Sequence, residues 1–222
     1  MYQGIATKCL TGVVRLSYAH LNEPYSNNGG EAKYGVTLLI PKSDVATKAD
    51  FDAAIESAAQ NGTRDKWNGV RPPVLAIPLY DGDGVRPSGE AFGEECKGHW
   101  VITASSKTKP EVVHVSNINV PLAPTDVYSG MFARVTVNFF AYNANGKKGI
   151  GCGLGNVLKI DDGEPLGGHT NAATDFGDVA TQTVQQPMAQ PVYPQYRQPM
   201  TQQPVPQIDP ITGQPVGSVY GM

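Results

Sequence analysis

No run of about 18 apolar residues occurs in this chain of 222 residues, so a membrane-spanning helix is not expected. The N-terminus lacks the charged-then-apolar order of a secretion signal. Cysteine is scarce: Cys9, Cys96 and Cys152 are odd in number and far apart. That argues against a disulfide framework and makes a reducing, intracellular compartment and a soluble protein the expectation. A global excess of positive charge is also missing, since residues 1–177 hold 16 Lys+Arg against 18 Asp+Glu. Non-specific adhesion to a polyanion through net charge is therefore not expected, although local clusters can still form a groove. Catalytic signatures are absent too. His99, His114 and Asp81 are the best candidates, but they lie in separate segments without GxSxG, HExxH or a paired-carboxylate motif. Cys96-x-x-His99 is half of a zinc site with no second half. Asp81-Gly-Asp-Gly84 begins like a calcium loop and lacks the bidentate glutamate, which leaves a structural turn. No enzyme, metal or cofactor is expected.

What the chain does have is concentrated in residues 128–160. Phe132 to Tyr142 alternates, and successive strand side chains point to opposite faces. Ala133, Val135, Val137, Phe139 and Ala141 form an apolar face that can pack in a core. Phe132, Arg134, Thr136, Asn138, Phe140 and Tyr142 form the other. Rings, hydrogen-bonding groups and a cation suit a strand that stacks bases and holds phosphates, although an ordinary solvated strand can carry a ring or two. Arg134, Lys147, Lys148 and Lys159 lie between Val127 and Ile160 with no acid among them. The loop Asn143 to Gly149 carries Lys147 and Lys148. A second cluster without an acid, Lys97, Lys107 and Lys109, spans residues 97–110. Glycines at 149, 151, 153 and 155 imitate a phosphate loop. Without a strand-then-helix context they indicate a strand with tight curvature or close backbone approach, paired with the strand before it.

Elsewhere the pattern is that of short strands and one helix. Residues 12–21 alternate, with Val14, Leu16 and Tyr18 on one side, and end at Asn22-Glu-Pro24. A glycine-bearing polar loop leads to a second strand, Lys33 to Ile40. Phe51, Ile55 and Ala58 at helical spacing predict a helix over 43–60, with Asn61-Gly62 as its stop. Trp67 is expected to be buried. His99 to Lys107 reads as a strand with Val101, Thr103, Ser105 and Lys107 on one face, and 117–124 reads as a loop. From 178 to 222 composition shifts: eight of the 18 prolines and ten glutamines fall there, with only Asp178, Arg197 and Asp209 charged. Such a segment has too little apolar patterning to offset its ordering entropy. The expected fold is mainly β: an OB-fold-like antiparallel barrel with one inserted α-helix over 1–177, then a disordered Pro/Gln-rich tail over 178–222. A jelly-roll-like sandwich fits the same strands.

Four blocks carry a resemblance: residues 33–42 (KYGVTLLIPK), 77–83 (IPLYDGD), 102–110 (ITASSKTKP), and the long stretch from Tyr128 through Gly168. Together they resemble a phage-encoded family of single-stranded DNA-binding proteins, in order over about residues 10–177. The resemblance implies an OB-fold that coats single-stranded DNA with little sequence preference during phage replication or recombination, in the cytoplasm of an infected bacterium. It implies phage or host replication proteins as further partners. Whether the chain forms a homo-oligomer stays open. The binding surface it implies comprises Arg134, Phe140, Tyr142, Lys107, Lys109, Lys147 and Lys148, with Tyr34 as a further ring on the neighbouring strand. One departure is the tail: related proteins often end in acid, and this tail is nearly uncharged. A virion structural β-domain with a Pro/Gln tail is the alternative.

Overall fold

In a computed structural model of the chain, residues 2–26, 29–144 and 146–166 are described. The expected tail over 178–222, and its boundary after 177, lie outside these residues. Among these described residues nine strands and one α-helix follow in the order Lys8–Leu10 (β1), Val14–Tyr25 (β2), Lys33–Pro41 (β3), Val45–Asp65 (α1), Leu79–Asp81 (β4), His99–Ser106 (β5), Val112–His114 (β6), Asn117–Pro121 (β7), Phe132–Ala144 (β8) and Lys147–Asp161 (β9). α1 is not apolar enough to cross a membrane, and no other helix is described that could.

Five of the strands close a ring. β8 pairs with β2, β2 with β3, β3 with β5, β5 with β9, and β9 returns to β8. All these pairings are antiparallel except β5 with β9, which is parallel, as is the attachment of β6 to β9. A five-stranded ring of this kind with an inserted helix is an OB-like fold, as expected from the sequence. Closure removes the exposed sheet edge that an open sheet of this size would carry.

The alternation of β8 is realised as read. Ala133, Val135, Val137 and Phe139 are buried inside the ring, with Val14, Leu16, Val36, Leu38, Ile102, Ile150 and Cys152. α1 closes one end of this core through Phe51, Ala54, Ile55 and Ala58, and Phe51 meets Phe139 edge-on at 5.1 Å. Asp44 caps the helix by accepting a hydrogen bond from the Thr47 N–H at 3.0 Å.

The structure departs from the sequence pattern at five places. Asn61-Gly62 does not end the helix, which runs one further turn to Asp65. Gly62 is buried there, where a Cβ would strike the Cβ of Ala141 and come within 2.9 Å of the Trp67 ring. Trp67, buried as expected, donates its indole N–H to the Tyr142 carbonyl at 3.0 Å. β2 does not stop at Asn22-Glu-Pro24 but continues to Tyr25, and Tyr18 leaves the side of Val14 and Leu16. Register shifts flank His20, and Tyr18 takes φ +48° and turns out to solvent. The segment read as a loop after Ser116 holds β7, which pairs antiparallel with β6. Lys147 and Lys148 belong to β9, opposite Ala144 and Asn143, and not to a loop. Lys159 is 5% exposed and lies opposite Ala133 on the inward side. Its ammonium donates to the Asp126 carbonyl at 3.0 Å and pairs with Asp162 at 2.7 Å, so it is withdrawn from the basic cluster.

Gly62→Ala tests the helix packing. Intrinsic propensity alone would favour alanine by about 1 kcal/mol, whereas overpacking against Ala141 and Trp67 costs about 1–3 kcal/mol. A net loss of stability is expected in urea titration; an unchanged or higher midpoint contradicts this packing.

Candidate nucleic-acid interface

The outward side of the ring divides in two. Where β3 and β5 place Leu39 and Val101, it is covered by Phe92, Cys96 and Leu166, which pack there as a second apolar cluster. One step along the same strands the cover ends. Thr37 lies opposite Thr103, with their hydroxyls 2.9 Å apart, and Gly35 lies opposite Ser105. Ser105 in turn aligns with Gly153 of β9, and Gly153 with Asn138 of β8. The open half is therefore a lane of small, neutral, hydrogen-bonding residues across four strands.

Rings border this lane at both ends. On β8, Phe140 lies opposite Gly151 and Tyr142 opposite Gly149. A Cβ on Gly151 would fall 2.5 Å from the Phe140 ring, and one on Gly149 would fall 2.6 Å from the Tyr142 hydroxyl. Each ring thus occupies space that a side chain on the facing glycine would fill. That accounts for Gly149 and Gly151 by close approach of a neighbouring group and not by barrel curvature. Phe140 remains 47% exposed; Tyr142 is half-buried. On β2, at the other end, Tyr18 and Tyr25 are exposed and His20 stacks on Tyr25 at 4.5 Å with 12° between planes. The sequence pattern gave no role to these three residues. The bulge after Ser17 hid the faces of Tyr18 and His20, and Tyr25 lies beyond the expected end of the strand.

The remaining residues singled out from the sequence are spread out. Arg134 is on the same face of β8 as Phe140 and Tyr142 and is half-buried, and its Nε–H donates to the Thr11 carbonyl at 2.9 Å. Eight residues separate it from Tyr142, about 27 Å along an extended strand. Lys107 follows β5 and is exposed, but its ammonium meets the Glu31 carboxylate at 2.7 Å. The hydrogen bond from Lys107 holds the Glu31 carboxyl below its ordinary range, with Lys33 3.9 Å away adding to the effect. Lys109 borders a different recess, with Pro110, Val112 and Leu122. Lys147 has the parity of Gly149 and Gly151 and so falls on the Phe140 face; Lys148 has the parity of Ile150 and falls on the other. Tyr34 has the parity of Val36 and Leu38, is half-buried, and borders the recess beside Tyr25.

The chemistry of this face is that of binding. The three thiols are buried, and burial pushes Cys9 up to about 11 and Cys96 and Cys152 upward, so none is a ready nucleophile. Among the described residues no group of His, Cys, Asp and Glu is placed to hold a metal ion. Asp81 and Asp83 both pair with Lys42, at 2.5 Å.

Comparison with known proteins gives the family. A solved structure of the single-stranded DNA-binding protein from bacteriophage Enc34, in complex with single-stranded DNA, is 30% identical and superposes with a TM-score of 0.62, covering 72% of this chain and 90% of that one. A further solved structure of the same phage protein, also 30% identical, superposes with a TM-score of 0.60, covering 77% of this chain and 90% of that one. The p50 protein of Acyrthosiphon pisum secondary endosymbiont phage 1 is 29% identical over 178 residues, 75% of this chain and 91% of that protein. Residues 7–186 match the family described by the Enterobacter phage Enc34 ssDNA-binding protein, a family of binding proteins and not of enzymes, and the chain belongs to it.

Proposed function

We propose that this protein binds and coats single-stranded DNA with little sequence preference, through the open lane and the rings that border it. The observation that carries the reading is the pair Phe140 over Gly151 and Tyr142 over Gly149 at the end of a neutral, hydroxyl-lined floor. Stacking on a ring contributes about 1–3 kcal/mol per base and is indifferent to base identity, because every base has a flat face. In duplex DNA those faces are already used. The complex of the Enc34 protein with single-stranded DNA supports the same ligand here.

Phosphates would be met by Lys107, Lys109, Arg134, Lys147 and Lys148, with Tyr34 as a further ring. Their wide spacing fits a strand that wraps around the ring more than one held in a compact pocket. Family membership supports a role in phage DNA replication or recombination, in the host cytoplasm, alongside phage or host replication proteins. In this reading residues 1–177 are the binding domain and 178–222 a separate Pro/Gln-rich tail.

Neutralising four or five phosphates gives log K a slope near −0.7 per contact against log salt, roughly −3 in total. Phe140→Ala with Tyr142→Ala should weaken binding by about 10- to 100-fold per lost stack and leave that slope unchanged. Anisotropy titration over a salt series reads both; equal affinity for duplex and single strands would contradict the mechanism. Glu31→Gln should tighten binding by freeing Lys107, and the gain should vanish in a Lys107→Gln background. A gain of equal size in both backgrounds would assign it to net charge and not to the pair.

A further inference from the structure

The geometry points to a second base-stacking station on β2, formed by Tyr18 and Tyr25 around the recess next to Thr37, Thr103 and Ser105, which takes an unpaired nucleobase. It rests on the single-stranded DNA reading and extends it to a part of the molecule that neither the sequence pattern nor the family resemblance singles out. Three observations carry it.

The recess itself is the first. It encloses about 300 Å³, and Tyr18, His20, Tyr25, Thr37, Thr103 and Ser105 are among the residues around it. Its floor offers hydroxyls, and Gly35 leaves it low, with nothing closer than 3.6 Å to where a Cβ would stand. A flat heterocycle with a polar edge satisfies such a floor. Thr37 and Thr103 share one hydrogen bond between them, so an apolar side chain of a protein partner would leave the Ser105 hydroxyl and the remaining capacity of that pair unused.

Secondly, the rings are held outward. Tyr18 and Tyr25 are 62% and 54% exposed, high for large rings on a strand that otherwise buries Val14, Leu16 and Leu21. Tyr18 reaches this position only because β2 bulges and the residue adopts φ +48°, a region that residues other than glycine rarely occupy. The bulge is supported: the N–H of Ala19 is taken by the Ser129 hydroxyl at 3.0 Å. Tyr25 is backed by the His20 imidazole stacked against it. Strain of this kind persists where its surroundings hold it, and it clusters at functional positions.

The third is alignment. From β2 the register runs through Thr37 or Gly35 on β3, Thr103 or Ser105 on β5, and Gly153 on β9 to Asn138, two residues from Phe140 on β8. Four inter-strand steps of about 4.8 Å place the two sets of rings roughly 19 Å apart around the ring. A strand crossing the lane would engage both stations only if it is several nucleotides long.

The test is a length series. Oligothymidylates of roughly 4 to 16 nucleotides, the span of OB-fold site sizes, are titrated by anisotropy against the full-length protein, Tyr18→Ala/Tyr25→Ala and Phe140→Ala, with thermal melts of each. Wild-type affinity should climb with length and level off once both stations are filled. The β2 double variant should lose about 10- to 100-fold on the longest oligomers and reach its plateau at a shorter length. Phe140→Ala should weaken every length. Wild-type affinity and length dependence in a normally melting double variant would overturn the second station while leaving the single-stranded DNA reading intact. Absence of wild-type binding at every length would overturn both. Should the alanine variant melt early, Tyr18→Leu/Tyr25→Leu, which keeps bulk without a ring, is held to the same outcomes.

Discussion

Two aromatic rings lying on two glycines are the contact on which the face of this protein depends. Phe140 and Tyr142 need the space above Gly151 and Gly149, and any side chain there would push them off the sheet. The ladder between β8 and β9 sets that register over most of its length, from Phe132 to Ala144. The same ladder closes the five-stranded ring. Closure and presentation of the rings are thus one constraint: the strand pair that completes the core also lays the aromatic platform on its outer side.

The helix contributes to both. Its last turn passes over Ala141, where Gly62 allows close approach, and Trp67 just beyond it holds the Tyr142 carbonyl. The end of β8 that carries the rings is therefore fixed from the core side. On the outer side, Phe92, Cys96 and Leu166 cover the face only as far as Leu39 and Val101, where the exposed residues would otherwise be apolar. What remains open is polar. The boundary between covered and open surface follows the change from Leu39 and Val101 to Thr37 and Thr103 along β3 and β5.

Much of this was legible in the sequence because alternation reports burial directly. The two faces of β8, the pairing of β8 with β9, the strand character of β3 and β5 and the burial of Trp67 all followed from it. The departures share a cause, which is contact between residues remote in sequence. Asn61-Gly62 is a good local stop, but packing of Gly62 against Ala141 and Trp67 overrides it. β7 alternates in sequence, Asn117-Ile-Asn-Val120, but every one of its residues is exposed, so the alternation reports no buried face. Lys159 and Lys107 counted equally as cations in a linear reading, yet one is buried against Asp126 and Asp162 and the other faces Glu31. The aromatic end of β2 was out of reach for a further reason: a bulge reverses the parity on which face assignment relies.

The central claim is that single-stranded DNA lies across the open half of the ring, in contact with the rings on β8. Photocrosslinking with an oligonucleotide carrying 5-iododeoxyuridine, followed by mass spectrometry of the crosslinked peptides, tests it most directly. The account predicts crosslinks at Phe140 and Tyr142. Crosslinks confined to α1 or to the β6–β7 hairpin, with β8 unlabelled, would contradict it.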